Sequence, residues 1–288
     1  MQPSIRIPQA IVLTLILVAV QAFAGFAISS LELPVSPLYL SGALSLISFG
    51  LLMWLGLVWT RLPILDSIDP SQVSPRAYIA SVIGALGLLV TVSAITTLIS
   101  PLIPEQDLIV LENIVQSGDR LAQLIVIVFV AGIAEELFFR GLLLRGLLRS
   151  INPIVALVIS SALFSILHLN WAQIPGTFLL GFGFGLLVYV TGSIIPAIVA
   201  HMANNAIALW LTRLAESLPE DIAGSEAVES VGAGELAYSI LLYLALGALI
   251  LRWAYMILRP EIPANPLALH RPELPQGCSD DEGGEHER

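Results

Sequence analysis

Eight apolar runs divide this chain, at roughly 8–30, 38–60, 77–103, 121–148, 153–169, 175–191, 193–212 and 236–258. An α-helix needs about 20 apolar residues to cross the hydrocarbon core of a bilayer, and these runs are of that order. The expected fold is all-α: a polytopic membrane protein with about eight transmembrane helices in one bundle. It forms a single domain over 1–258, followed by a disordered cytoplasmic tail at 259–288 that mixes prolines, glycines and acids. The tail holds His270 and His286, to which no role is assigned.

Composition supports this reading and excludes others. With 57% hydrophobic and 12% charged residues, the chain is too apolar for a soluble domain of its size. The net charge of -10 comes from acids gathered at 105–119, at 216–235 and in the tail. None of these offers a basic face, so no nucleic-acid partner is expected. The single cysteine, Cys278, excludes an intrachain disulfide and a multi-cysteine metal cluster.

Lysine is absent, so every fixed positive side chain is an arginine. With eight spans and a cytoplasmic N-terminus, Arg6, Arg61, Arg76, Arg145, Arg149, Arg252, Arg259, Arg271 and Arg288 fall inside. Only Arg120 and Arg213 fall outside. That bias predicts an integral multi-pass protein with both termini cytoplasmic. The first run has one feature of a signal peptide, since Ala22-Phe23-Ala24 resembles a cleavage site, but its apolar stretch is long for one. Runs six and seven are separated by Gly192 and Pro196. The stretch 106–116 has the apolar residues of a short interfacial helix and reads equally well as an ordered loop.

Against this background, Glu135, Glu136 and Arg140 lie within the fourth run, where ionisable groups are costly and point to function. Residues four apart share a helix face, so Glu136 and Arg140 are natural partners. Glu135 projects elsewhere and needs a partner on another helix or a proton. A partly desolvated glutamate facing a cavity is what a general base for water activation requires. The fifth run holds Phe164 and His168 one turn apart, and the seventh holds His201 and Asn205 one turn apart. Taken singly, such a histidine is more often a packing residue and such an asparagine interhelical glue. Together they offer a base, two imidazoles and an amide on three successive apolar segments, which favours one site. Gly181, Gly183 and Gly185 in the sixth run read as close-packing positions.

In order and spacing, Glu135-Glu136-x-x-x-Arg140, Phe164-x-x-x-His168 and His201-x-x-x-Asn205 resemble the three motifs of the CPBP intramembrane proteases. That family includes type II CAAX prenyl endopeptidases and proteins linked to bacteriocin processing or self-immunity. The resemblance covers about 121–212. It implies a membrane endopeptidase that opens toward the cytosol and cuts a membrane-associated protein or peptide, with CAAX segments as the best-known substrates. Carried onto this chain, it implies that Glu135 activates water with help from His168, and that His201 and Asn205 stabilise the oxyanion. Glu136, Arg140 and Phe164 support the site. A divalent metal such as Zn²⁺ held by Glu135, His168 and His201 is chemically allowed, since two histidines, a carboxylate and a water form a normal catalytic set. The chain lacks the His-Glu-x-x-His helix that would favour metal, so metal-free hydrolysis stands beside it.

Two other functions fit the same intramembrane groups: an ion- or proton-coupled transporter, and a non-enzymatic immunity or scaffold protein. One tension concerns depth. Glu135 lies about 21 Å from the outer end of its run and His168 about 22 Å from the inner end of its own. Tilt, helix ends beyond the hydrocarbon, or a cavity that thins the membrane are the ways to reconcile them.

Overall fold

The computed structural model describes residues 4–30, 35–62, 73–107, 119–217 and 232–270, and every regular element among them is helical. The eight main helices are α1 (Ile7–Ser30), α2 (Pro37–Thr60), α3 (Pro75–Ile99, extended by a 3₁₀ turn to Leu102), α4 (Arg120–Leu148), α5 (Pro153–Leu167), α6 (Ile174–Thr191), α7 (Ile195–Glu216) and α8 (Ala233–Leu258). The chain is thus an all-α, polytopic integral membrane protein. Seven of these helices are long and apolar enough to span a bilayer.

The remaining helix, α5, is shorter than those seven, where the sequence led us to expect about eight transmembrane helices. Its 15 residues cover only about 22 Å against a hydrocarbon core of about 30 Å. Pro153 starts it behind Asn152, whose side chain caps the Ile154 N–H. It ends where Leu169 adopts a left-handed conformation, φ 48°, which a bulky L-residue seldom takes. The chain therefore reverses immediately after His168. The following loop is tied to the end of α3, because Asp107 accepts from the Trp171 N–H and, through its carbonyl, from the Asn170 amide.

At the centre of the bundle is the C-terminal half of α4. Phe138, Phe139, Leu142, Leu143, Leu144, Leu147 and Leu148 are all fully buried, so this helix is covered all round. Around it lie α1, α2, α5, α6 and α7, while α8 packs mainly on α3. The α3–α8 crossing is close because a methyl at Gly247 would collide with the Thr91 hydroxyl. The glycines of α6 have the packing role expected: Gly181 lies against Phe164 and the Ser161 backbone, and Gly185 against Leu157.

Two segments of α4, Leu124–Val130 and Leu137–Leu144, are π-helical and flank the α-helical turn Ala131–Glu136 that carries the acids. Such wide turns are uncommon and recur at functional sites. Each has a carbonyl taken by a neighbouring helix: Ile127 accepts from the Asn205 amide, and Phe139 from the Ser160 hydroxyl.

Part of the stretch expected as a disordered tail, 259–270, is described and folded, while 271–288 lies outside the described residues. Two 3₁₀ turns, Arg259–Glu261 and Pro266–His270, follow α8. His270 is buried, stacked on Tyr189, and bonded through Nε2 to the Tyr189 carbonyl at 3.0 Å. Gly192, whose φ of 71° closes α6, has no room for a side chain beside Leu269, and its carbonyl accepts from Arg145. The expected interfacial helix beyond 107, most of the acidic loop 216–235, Cys278 and His286 lie outside the described residues.

Burial lowers the His270 pKa to about 4. Because the folded pKa lies below the unfolded value, the undocked segment binds the proton more readily, and docking weakens as pH falls from about 6.5 towards 4. The effect is on the order of 3 kcal/mol at the acid limit. Hydrogen exchange over 259–270 is expected to show loss of protection at pH 4.5 that is absent at pH 7.5. A His270→Phe variant is expected to remove this pH dependence.

Candidate active site

The acid pair in the sequence divides into two environments. Glu136 is fully buried, and its Oε1 accepts from Arg140 Nη1 at 2.8 Å and from His201 Nδ1 at 2.9 Å. Arg140 is equally buried. It donates through Nη2 to the Gly181 carbonyl at 3.0 Å and stacks its guanidinium over Phe164, 4.4 Å from the ring centroid. The pairing expected from helical spacing is therefore present, and it extends to α6 and α7. A charge so placed is held by hydrogen bonds as well as by its counter-ion.

Glu135 faces the other way. It is half-buried and lines a 190 Å³ cavity with Gln21, Ser45, Phe49, Leu167 and His168. Its Oε2 is buried without a hydrogen-bond partner among the described residues. The space is ample for several water molecules, and its polar walls suit them.

Both histidines have a defined proton. His168 Nδ1 lies 3.1 Å from the Phe164 carbonyl. A carbonyl only accepts, so Nδ1 carries the hydrogen and Nε2 is left as a proton acceptor. His201 Nδ1 likewise donates to Glu136. Phe164 stands between the two rings, edge-on to His168 at 5.2 Å and to His201 at 5.8 Å, while Phe184 stacks on His201 at 5.1 Å.

The depth tension resolves in the α4–α5 hairpin. Counted from the turn that these two helices share, Glu135 is 13 residues back from Leu148, about 20 Å, and His168 is 15 residues on from Pro153, about 22 Å. The two lie at one level because α4 is longer than the membrane is thick. Its midpoint therefore faces the end of the short α5.

The structure thus brings Glu135 together with His168, and Glu136 with Arg140 and His201. It does not gather all the expected residues into one cavity. His201 is not in the wall of the Glu135 cavity, and the Asn205 amide is engaged by Ile127. Glu135, His168 and His201 do not fit a zinc site: among the described residues no three His, Cys, Asp or Glu side chains are placed to hold a metal ion. His201 is instead fixed by Glu136 and by Phe184, on the far side of Phe164.

Several participants carry no motif. Gln21 and Ser45 come from α1 and α2, where Gln21 donates to Ser48 at 2.9 Å and to Ser45 at 3.3 Å. The available signal was a long amide in the middle of an apolar run. Asn204, next to the expected Asn205, is the more buried of the pair and donates through its side-chain amide to the Asn205 side-chain oxygen Oδ1. Phe184 has no signal that separates it from the other aromatic residues of α6.

The all-α bundle thus holds a buried Glu–Arg–His cluster beside a glutamate-lined cavity. Comparison with known proteins finds a likeness over the same helices. Residues 117–207 match the family described as Rce1-like, type II CAAX prenyl endopeptidase Rce1-like. The match covers about a third of the chain, and over that segment the chain is similar, at the general level, to membrane proteases. The chain is also similar to uncharacterized protein YyaK of Bacillus subtilis (strain 168), 40% identical over 94 residues. That match covers 30% of this chain and 31% of the relative, so it spans about a third of either. No solved structure matches. The Gln21 and Ser45 side of the cavity lies outside the family match.

Proposed function

We propose that this protein is an intramembrane endopeptidase that hydrolyses a peptide bond of a membrane-associated protein or peptide by glutamate-activated water. That class includes the CAAX-type segments named by the matched family. The observation that carries this reading is that Glu135, with one buried carboxylate oxygen unpartnered among the described residues, shares the wall of a water-holding cavity with His168, whose Nδ1 is held by the Phe164 carbonyl.

In the proposed reaction, a water held between Glu135 and His168 Nε2 attacks the scissile carbonyl carbon and gives its proton to the Glu135 carboxylate. The tetrahedral intermediate collapses with cleavage of the C–N bond. Glu135, now an acid, returns the proton to the departing amine, leaving a new carboxylate and a new amine. The buried Glu136–Arg140–His201 cluster holds α4, α6 and α7 in register, which fixes the direction of Glu135. The oxyanion role expected of His201 and Asn205 falls in this reading to the donors in the Glu135 cavity wall, the Gln21 amide and the Ser45 hydroxyl, which bond to one another and to Ser48 in the resting structure and would turn to the substrate oxygen.

Comparison of newly formed C-termini in membranes containing the intact protein or its Glu135→Ala variant tests the reading. New termini that depend on Glu135 are the expected result, and identical sets would overturn it. For the oxyanion assignment, Gln21→Leu is expected to lower kcat about 10²-fold with little change in KM. Unchanged kcat would return the role to α7.

A further inference from the structure

We propose that the apolar cavity between α3, α6 and α8 binds one acyl chain of an anionic phospholipid, whose phosphate is held by arginines at the end of the same cavity. This site shares no lining residue with the Glu135 cavity and does not depend on the endopeptidase reading.

The cavity has a volume of about 440 Å³, and its wall is almost wholly apolar. Ala80 and Gly84 of α3, Gly183 and Leu186 of α6, and Ala254 and Tyr255 of α8 all contribute to it. The α3–α8 crossing explains why space is left there. A methyl would collide with Thr91 at Gly247 and come within 2.9 Å of Leu251 at Gly87, but at Gly84 it would meet only the Ala254 methyl, at 3.8 Å. The pair is therefore tight near the middle of α3 and looser towards its start. Leu186 is 42% exposed and Tyr255 54%, so one side of the cavity faces out of the bundle. Water finds no polar partners in such a space, whereas hydrocarbon fills it.

The length of the cavity matches one leaflet. Ala77 and Ala80 near the start of α3, Val190 near the end of α6 and Leu258 at the end of α8 pack together, so these three helix ends share one level. From Val190 the lining of α6 runs back 11 residues to Leu179, about 16 Å. Half of a hydrocarbon core of about 30 Å is about 15 Å, the depth of a single leaflet.

Positive charge is gathered at the level of the helix ends. Arg76 stands one turn before Ala80, and Arg252 and Arg259 lie one turn either side of Tyr255. All three are exposed. Arg76 approaches the Glu261 carboxylate only to 3.9 Å. Arg252 and Arg259 have no carboxylate partner among the described residues, although Arg252 lies within the membrane-spanning length of α8. A long cationic side chain in that position runs along the helix with its head at the polar interface, and a guanidinium there bonds a phosphate through two parallel N–H groups. A neutral apolar molecule would fill the cavity and leave these arginines without an anion. An anionic phospholipid satisfies both.

Native mass spectrometry of the purified full-length protein tests the site, with phosphatidylglycerol or phosphatidylcholine of the same acyl chains added to the detergent solution. One phosphatidylglycerol is expected to be retained in preference to phosphatidylcholine. Gly84→Leu fills the cavity from α3 and is expected to weaken retention of both lipids about tenfold or more, since each buried methylene counts. Arg252→Gln and Arg259→Gln lie on exposed faces and leave the fold intact. Each is expected to lower phosphatidylglycerol affinity roughly fivefold, the effect of one basic side chain at an anionic lipid surface, with little change for phosphatidylcholine. Equal retention of the two lipids, or arginine variants that bind phosphatidylglycerol as the intact protein does, would overturn the proposal. So would geranylgeraniol that displaces phosphatidylglycerol and binds the arginine variants undiminished, because the cavity would then be a site for neutral isoprenoid chains. Lipid retention is read without catalysis, so either result leaves the endopeptidase reading to the C-terminal comparison.

Discussion

Replacing Glu135 by glutamine is expected to lower kcat for peptide cleavage by about 10²- to 10⁴-fold, the usual contribution of a general acid–base group. The amide keeps the shape of the carboxylate and still fits the cavity with Gln21, Ser45 and His168. It cannot take a proton from water, however. Since Glu135 is half-buried and its Oε2 has no partner among the described residues, the substitution breaks no ion pair. Thermal stability in detergent should therefore change little while activity collapses. The check is a steady-state cleavage assay beside a melting curve for the same preparation. Retained kcat would remove Glu135 from the chemistry. Lost stability would make it a structural group.

The neighbouring position behaves in the opposite way. Arg140→Met leaves the fully buried Glu136 carboxylate with only His201, and removal of one partner from a buried ion pair costs about 3–5 kcal/mol. The Gly181 carbonyl also loses its donor, and Phe164 loses the guanidinium stacked on it. Glu136→Gln alone strands the arginine at a similar cost. In the double variant neither charge remains, so the loss is expected to be well below the sum of the two single losses. A double-mutant cycle on unfolding free energies in lipid or detergent measures this coupling. Additive losses would show that the pair is not a structural unit. Activity is expected to follow stability in these variants, because Glu136 and Arg140 position α4 without facing the cavity that holds Glu135.

The contrast between these adjacent glutamates shows how far sequence reasoning reaches. A helix turns about 100° per residue, so neighbours cannot share a partner, and the Glu136–Arg140 spacing identified which acid was paired. Glu135 was left over on the same ground, and the structure places it on a cavity. His168 joined it through the family resemblance, but its tautomer needed coordinates, because the Phe164 carbonyl that holds Nδ1 is a backbone atom with no sequence signature. For Asn205 the face was legible and the partner was not. Its amide reaches Ile127, whose carbonyl lies in a π-helical segment that no propensity predicts.

Sequence alone determined the apolar runs, and with them the all-α membrane fold, since a bilayer enforces helix length and composition directly. It also determined the split of the acid pair, because that depends only on helical pitch. Tertiary structure decided the rest. It showed α5 to be a short helix whose end meets the middle of α4, which brings Glu135 and His168 to one depth. It drew Gln21 and Ser45 from α1 and α2 into the cavity, turned His201 towards Glu136, and packed the chain as far as His270. These outcomes depend on which faces meet across helices distant in sequence, and the spacing of residues within any one helix carries no record of its neighbours.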